Sequence, residues 1–239
     1  MSQIPQLLNG NRLSHDAVSD NGWYSRGPGS HCQIFDDFIG TGALPTTAHN
    51  GFVSHDGDDG SSAHVFSDEA CGAYKLLTSN HSSTKEIAVM GNAVIRADKK
   101  PIFEARVSIT ESGTRTNDVV IIGLVNARND ATDSITHHAL FKMTGANNNI
   151  LVETDDNTTD TDDKDTGSDW VSTTYYKFKI DMSDLDAIQF FIDDVNVTPE
   201  TMKMSAASST LLLPIVEVQA STGQIHQANV DYISVVWER

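Results

Sequence analysis

The stretch Pro101-Ile-Phe-Glu-Ala-Arg-Val-Ser-Ile-Thr110 alternates between apolar and polar side chains. Successive side chains of a β-strand point to opposite faces, so residues two apart share a face. The apolar set is Phe103, Ala105, Val107 and Ile109, and the polar set is Glu104, Arg106 and Ser108. This period of two predicts a strand with one buried face, and it favours an all-β fold.

Three neighbouring stretches predict more strands. Residues 118–126 are apolar on both faces, which is typical of a central strand covered on both sides. Residues 176–182 alternate with period two. Residues 187–192 form an apolar run that ends at Asp193-Asp194, and we expect a hairpin turn there into a further short strand.

The C-terminal part of the chain predicts two last strands, 211–218 and 230–237. Pro214 predicts a sheet edge or a β-bulge in the first of them, because proline has no N–H to donate to a neighbouring strand. No segment carries a 3.6-residue apolar stripe over three helical turns. Short strands punctuated by polar loops predict a β-sandwich.

Residues 1–30 differ in pattern from the rest of the chain. They contain the turn formers Asn9-Gly10-Asn11, Asp20-Asn21-Gly22 and Arg26-Gly27-Pro28-Gly29-Ser30, with no periodic apolar run between them. We expect an extended N-terminal arm over 1–30, held by a neighbouring subunit, and one sandwich domain over 31–239.

The charge balance excludes several classes of protein. Lys and Arg number 16 against 33 Asp and Glu, which gives a net charge of −17. This excess disfavours nucleic-acid binding and docking on anionic membranes. No apolar run approaches the ~20 residues of a membrane span, and the first residues lack a signal-peptide pattern. The two cysteines, Cys32 and Cys71, match no zinc spacing.

Two acidic stretches, 55–60 and 153–169, have a composition that suits calcium. Neither has the ordered spacing of an EF-hand loop. We therefore expect solvated hairpin tips at both places. The sequence predicts no metal site and no cofactor.

Four segments together carry a resemblance to a known family. They are Phe35-Asp-Asp-Phe-Ile-Gly40, Lys99-Lys-Pro-Ile-Phe-Glu-Ala-Arg-Val107 followed by Ile122-Gly-Leu-Val-Asn-Ala127, Tyr175–Asp181 with Ala187–Asp193, and Val230-Asp-Tyr-Ile-Ser-Val-Val-Trp-Glu-Arg239. Their order resembles a bacteriophage structural-protein family with a concanavalin A-like (lectin/glucanase-type) jelly roll. Asp194 stands where that family usually has a turn glycine, and the arm before Phe35 matches no family pattern.

The resemblance implies a virion protein made in the host cytoplasm. The favoured function is a capsid decoration (cement) protein on the outer capsid surface, stabilising the lattice of the major capsid protein as a homotrimer. The arm would make the contacts through Ile4, Leu7, Leu8, Leu13, Trp23 and Tyr24. The alternative is a head or tail fibre or receptor-binding protein with a lectin-like site for a host glycan, with Trp23, Tyr24, Tyr74 and Trp170 as its candidate aromatic side chains.

A glycoside hydrolase is the less favoured alternative. Endoglucanases of this fold place Glu-x-Asp-x-(x)-Glu on one strand, and the nearest match is Glu153-Thr-Asp-Asp-Asn157, which lacks the third acid. We expect it to open a solvated loop instead of lying on a rigid strand. Glu104 and Arg106 lie on one face of a strand, where we expect an exposed cross-strand ion pair. No Gly-x-Ser-x-Gly elbow and no phosphate-binding loop occurs in the sequence, so the protein is predicted not to be an enzyme.

Overall fold

The structure is a computed structural model that describes residues 12–15, 23–26, 31–39, 44, 52–57, 63–67, 72–78, 85–112, 118–144, 147–220 and 225–239. The strands within these ranges are β1 (Arg12–His15), β2 (Trp23–Arg26), β3 (His31–Asp36), β4 (Val53–Asp56), β5 (Ala63–Ser67), β6 (Ala73–Leu77), β7 (Lys85–Met90), β8 (Ile95–Arg96), β9 (Ile102–Ser112), β10 (Val119–Val125), β11 (His138–Thr144), β12 (Asn149–Asp155), β13 (Asp160–Asp169), β14 (Tyr175–Asp181), β15 (Gln189–Ile192), β16 (Val195–Asn196), β17 (Leu211–Ala220) and β18 (Ile225–Glu238). Short 3-10 turns lie at Ala97–Lys99, Thr132–Ser134 and Ser205–Ala207.

Two antiparallel eight-stranded sheets form a sandwich. Sheet 1 has the order β13-β12-β11-β10-β17-β7-β4, with β8 also paired to β17. Sheet 2 has the order β16-β15-β14-β9-β18-β6-β5, with β3 also paired to β18. The predicted all-β sandwich is confirmed. No helix in the described ranges is long and apolar enough to cross a membrane.

The core lies between the inner faces of the two sheets. The ring of Phe141 from sheet 1 lies 5.0 Å from Phe178 and 5.2 Å from Phe190 of sheet 2, and all three side chains are fully buried. Tyr74 and Trp170 also belong to this core. Each such side chain contributes roughly 2–3 kcal/mol through burial, so this packing between the sheets is the main source of stability.

The strands predicted from alternation are present. Residues 101–110 lie in β9, whose apolar set faces the core, and β10 lies between β11 and β17 with both faces buried. β15 and β16 form the predicted hairpin. The turn residues Asp193 and Asp194 both have positive φ, 48° and 67°, the geometry of a type I′ turn.

Of the two settings predicted for Pro214, the sheet edge is wrong, whereas an irregularity is present, because residues 90–95 span five positions opposite the three positions of residues 212–215. β17 lies inside sheet 1, and Pro214 pairs in register with Leu124 of β10. On the other side of β17, pairing passes from β8 at Leu212 to β7 at Ile215, and the missing N–H of Pro214 falls in that gap. The Pro214 carbonyl accepts the Gly91 N–H at 2.9 Å there. A Cβ on Gly91 would lie only 2.8 Å from the proline ring, so glycine permits this approach.

The acidic stretch 153–169 is not a solvated loop, contrary to the prediction. Its first residues end β12, and Asp160–Asp169 form β13, the edge strand of sheet 1. β13 pairs with β12 through two register shifts, and Asp160, Asp162, Asp163, Asp165 and Asp169 are exposed. Because no apolar face alternates along β13, period-two patterning could not reveal it.

The predicted arm contains a short hairpin that the sequence pattern did not reveal. Strands β1 and β2 pair in antiparallel fashion from Arg12↔Arg26 to His15↔Trp23. Of the predicted contact residues, Leu13 lies in β1, and Trp23 and Tyr24 lie in β2. Ile4, Leu7 and Leu8 lie outside the described residues. The first strand of the sandwich begins at His31.

The carboxylate of Asp156 fixes the turn between β12 and β13. It accepts backbone N–H groups from Thr158 at 3.0 Å, Thr159 at 2.7 Å and Ala206 at 3.0 Å. Burial alone would raise the pKa of Asp156, but these hydrogen bonds outweigh it and hold the pKa below the usual aspartate range.

We expect Asp156→Ala to lower the free energy of unfolding by about 1–3 kcal/mol, because three backbone N–H groups lose their acceptor. The lowered pKa stabilises the fold above the usual aspartate pKa, and this contribution disappears as the pH falls through the folded-state value. Urea denaturation at pH 7 and pH 3 measures both effects. The control is Asp184→Ala, because the Asp184 carboxylate accepts a single N–H, from Asp186. Equal losses in the two variants would contradict this assignment.

Candidate functional site

The outer face of sheet 1 is partly buried beneath residues 126–137, which connect β10 to β11. Ile135 of this segment packs with a second apolar cluster on that face, formed by Ala88, Ile121, Val125, Leu140, Leu213 and Ile215. The segment is closed by a hydrogen bond from the Asn126 N–H to the His137 carbonyl at 2.9 Å. Charged side chains on this face are therefore withdrawn from water. We call residues 126–137 the cover segment.

The first charged group on this face is centred on Lys142 of β11. Its Nζ lies 2.6 Å from Glu153 Oε1, 3.2 Å from Asp163 Oδ1 and 3.4 Å from Asp133 Oδ1. The Glu153 side chain is 1% exposed. Three strands and the cover segment thus bring three carboxylates to one ammonium group.

Burial and charge act in opposite directions on this group. Burial raises the pKa of Glu153 to about 7, and Lys142 offsets only part of that increase. Burial would lower the pKa of Lys142, but its hydrogen bond to Glu153 and the charges of Glu153, Asp163 and Asp133 outweigh burial and raise that pKa. Lys142 therefore stays charged at neutral pH.

His138 lies on the same face of β11 as Lys142, four residues away. Its Nδ1 lies 2.9 Å from the Ile135 carbonyl, while its Nε2 lies 3.9 Å from Glu153 Oε2 and has no hydrogen-bond partner among the described residues. Burial lowers the pKa of His138, so the ring is neutral at pH 7. A neutral His138 adds no charge to the group.

The second charged group joins the cover segment to β17. Arg128 Nε lies 3.0 Å from Glu217 Oε2, and Arg128 Nη1 lies 2.6 Å from Asp130 Oδ1. Gln219 Nε2 donates to Glu217 Oε1 at 2.7 Å and to the Asp130 carbonyl at 3.1 Å. The fully buried Glu217 is therefore held by a guanidinium and an amide.

A cleft of about 450 Å³ opens between the two charged groups. Val119 lies in its lining, and the polar lining residues among those described are Asp118, Asp130, Thr132, Asp133, Lys142, Thr144 and Gln219.

The polar side chains predicted on β9 reach across to neighbouring strands, and Arg106 makes the expected cross-strand ion pair. Glu104 accepts the Tyr232 hydroxyl at 2.5 Å, and Arg106 Nη1 lies 2.5 Å from Asp231 Oδ2. The Arg106 guanidinium also stacks 4.4 Å from the ring centre of Tyr175. Glu104 and Arg106 therefore bind β18 and β14 and do not pair with each other.

Two of the four aromatic candidates for a glycan site cannot serve as a sugar platform. Tyr74 is fully buried, and its hydroxyl accepts the Leu44 N–H at 3.1 Å. Trp170 is 3% exposed within the core. Trp23 and Tyr24 are placed only as backbone positions of β2. A host glycan as ligand stays a prediction.

Sequence patterning anticipated Glu153 and Asp155 but not their setting. Both lie on β12, a regular strand and not a solvated loop, so that expectation is wrong. Lys142 and Glu217 were missed, although each interrupts an apolar run of its strand. A lone charge inside a buried run is the one signal that pointed to them, since buried charges need partners.

We expect Lys142→Met to lower the free energy of unfolding by about 3–5 kcal/mol at pH 7.5, because the buried Glu153 loses its counter-charge and the folded state must either bind a proton or hold an unpaired charge. A raised folded-state pKa means that the contribution of Glu153 to stability falls as the pH rises from the usual glutamate range to about 7. Loss of Lys142 raises this pKa further. At pH 5 Glu153 is protonated in both proteins, so the difference in the free energy of unfolding between wild type and Lys142→Met is smaller there. Denaturant titrations at pH 5 and pH 7.5 measure this change.

The control for that experiment is Lys179→Met on sheet 2, where the ammonium only stacks on Phe191 at 4.9 Å. We expect it to cost about 1 kcal/mol or less. The double variant Lys142→Met/Glu153→Gln should recover most of the loss. A deficit that is equal at both pH values would show that the buried charge is not its cause.

We expect EDTA to leave the melting temperature unchanged. No group of three or more His, Cys, Asp or Glu side chains within the described ranges is arranged to hold a metal ion. At ~0.15 M salt the Debye length is about 8 Å, so repulsion among the exposed aspartates of β13 is largely screened without a cation. A fall of several degrees, reversed by calcium, would instead identify a cation site, with Asp155, Asp160, Asp162 and Asp165 as the first residues to replace.

The comparisons with known proteins identify the fold. No protein-family model and no curated protein sequence matches the chain. Solved structures do match. A Shewanella oneidensis protein of unknown function has a TM-score of 0.60 at 13% identity, over 88% of this chain and 87% of that one. A Bacteroides ovatus GH16 protein from a mixed-linkage glucan locus has 0.57 at 10%, over 84% and 99%. A carbohydrate esterase of bacteriophage phi24B has 0.50 at 14%, over 79% and 91%.

At these identities the likeness shows the fold alone. The structural neighbours are concanavalin A-like jelly rolls of the lectin and glycoside-hydrolase type. The predicted jelly roll is therefore confirmed, while the phage structural role stays a prediction. This chain folds as a concanavalin A-like jelly-roll sandwich.

Proposed function

We propose that this protein is a non-enzymatic virion structural protein, a capsid decoration protein that binds the outer surface of a major capsid protein lattice. The observation that carries the proposal is the placement of the segments behind the family resemblance. Segments 35–40, 99–107, 175–193 and 230–239 lie far apart in the chain, yet β3, β18, β9, β14 and β15 lie side by side in sheet 2. The remaining segment, 122–127, lies mainly in β10 of sheet 1.

The polar residues of these segments form one network. Tyr232 reaches Glu104, and Asp231, at the β-bulge of β18, reaches Arg106. Arg106 also stacks on Tyr175 of β14. The residues behind the resemblance therefore include the side-chain contacts that fix β9 in register with β18 and β14. The departure at Asp194 does not weaken the likeness, because this residue adopts the positive φ that the family's glycine would supply.

The arrangement of carboxylates on sheet 1 supports a non-enzymatic role. A retaining glycosidase needs two carboxyl groups ~5–5.5 Å apart, and an inverting one needs about 6.5–9.5 Å, both facing the substrate. Glu153 and Glu217 are 1% and 0% exposed, so neither of these carboxylates faces a substrate. Each carboxylate is also held by a basic side chain, Lys142 or Arg128.

A decoration protein stabilises a capsid through the surface area that it buries against the lattice. Stable protein interfaces commonly bury well above 1,000 Å² in total, with a few large apolar anchors at the centre. The arm over residues 1–30 supplies the proposed anchors, and the resemblance implies a homotrimer on the lattice. Phe35 and Ile39 are 50% and 70% exposed just after the arm and extend the apolar surface available for such contacts.

We expect deletion of residues 1–25 to abolish binding to particles assembled from the major capsid protein, because the anchors are removed. The sandwich strands begin at His31, so the melting temperature should stay unchanged. Co-sedimentation with the particles measures binding. The control is Val195→Ser, at an exposed hairpin tip of the sandwich, which should bind normally. Undiminished binding by the deletion would overturn the proposed role of the arm.

A further inference from the structure

Lys142 is a buried amine in contact with carboxyl groups from two other strands of sheet 1. Its side chain is 8% exposed, and its Nζ lies 2.6 Å from Glu153 Oε1 on β12 and 3.2 Å from Asp163 Oδ1 on β13. Glu153 Oε1 also accepts the Asp163 N–H at 3.3 Å. One amine, one buried carboxylate and a second carboxyl group therefore meet at a single place.

The backbone at Asp163 has the geometry that brings its carboxyl group to this place. A register shift between β12 and β13 leaves Glu153 alone opposite two residues, Asp162 and Asp163, which is a β-bulge. Asp163 has a φ of 50°, in the left-handed region that a residue with a Cβ occupies at a cost. Bulges commonly redirect a side chain next to a reactive site, and here the redirected side chain reaches Lys142.

We propose that Lys142 and Asp163 form an intramolecular isopeptide bond, with Glu153 as the catalytic residue that transfers the protons. A bond forms between Lys142 Nζ and Asp163 Cγ, and the bond between that carbon and one carboxyl oxygen breaks. Glu153 takes two protons from the Lys142 nitrogen, one after the other, and delivers both to that oxygen, which leaves as water. The amide keeps the third proton, Glu153 returns to its starting state, and nothing is oxidised or reduced.

The surroundings of the three side chains favour this reaction. Contact between the reacting groups replaces a bimolecular encounter, and the effective molarity of well-placed groups reaches about 10⁵–10⁸ M. Burial raises the pKa of Glu153 to about 7, which suits a group that both accepts and donates protons near neutral pH. The Asp163 side chain is 57% exposed, so the water that is released can leave. Until the bond forms, Lys142 and Glu153 remain an ion pair.

The bond would connect the edge strand β13 to β11 across β12. A covalent link that closes a loop restricts the unfolded chain and so stabilises the folded one. The edge of sheet 1 could then not separate from the sandwich without breaking a covalent bond. The reaction occurs once in each chain and acts on no other substrate, so it does not depend on the proposed capsid role.

The bond is tested by intact mass spectrometry of the denatured full-length protein after incubation at pH 7.5. We expect a species that is lighter than the sequence mass by one water molecule. Trypsin should then leave the chain uncut after Lys142, and fragmentation should join Lys142 to Asp163. Wild-type protein that keeps its full mass, or a link from Lys142 to Asp133 or Glu153, would overturn the proposal.

Three variants assign the roles. Lys142→Arg keeps the positive charge but removes the amine, and Asp163→Ala removes an exposed carboxyl group without disturbing the core, so both should lack the lighter species. Glu153→Gln should slow its formation by about a hundredfold or more, the usual contribution of a positioned proton-transfer group.

The matched control is Asp162→Ala, on the same bulge, which should form the bond at the wild-type rate. Loss of water that persists in Asp163→Ala would place the dehydration elsewhere in the chain and contradict the assignment. An unchanged rate in Glu153→Gln would show that this residue does not transfer the protons.

Discussion

The pairing of β9 with β18 is the contact on which the rest of the sandwich depends. β18 runs antiparallel to β9 along most of its length on one side, and on the other side it pairs with β6 and then with β3. One C-terminal strand thus joins the beginning, the middle and the end of the sandwich. Such long-range pairs form late and slowly, because their loop-closure entropy must be met before the contacts contribute. Two side-chain pairs, Glu104 with Tyr232 and Arg106 with Asp231, also favour this register. A shift of one residue would break both pairs.

The sequence predicted the strands whose two faces differ and missed those whose faces do not. β9, β14 and β18 alternate because their outer faces meet water, so period two reveals them. β13 has no apolar face, and its pairing with β12 is a backbone property that side-chain patterning does not record. The sequence left two settings open for Pro214, a sheet edge and a bulge, for a similar reason. Proline fits an inner strand where the neighbouring strand makes no hydrogen bond to its nitrogen. At Pro214 this is decided by where β7 and β8 end, which the sequence of β17 does not show.

The candidate site shows the same division. Glu153 was visible as an acid near Asp155, but its role follows from Lys142, eleven residues away in sequence and directly adjacent in space. Residues 126–137 cover the outer face of sheet 1, so the carboxylates there are shielded from water. Buried carboxylates need basic partners. This fold accommodates both catalysis and binding, and the fold alone decides neither. The pairing of the carboxylates with Lys142 and Arg128 distinguishes this chain from an arrangement that presents free acids to a substrate.

The exposed aspartates of β13 have a consequence for colloidal behaviour. An open edge strand of ten residues is a template for the addition of further strands, and in a crowded array of identical copies it would invite fibril growth. A row of like charges along that edge makes each such addition electrostatically unfavourable. Near the isoelectric point of about 4.6 the net charge of the chain approaches zero, so the overall repulsion between copies weakens. Mild acid is therefore the condition under which we expect copies to associate most readily through this sheet edge.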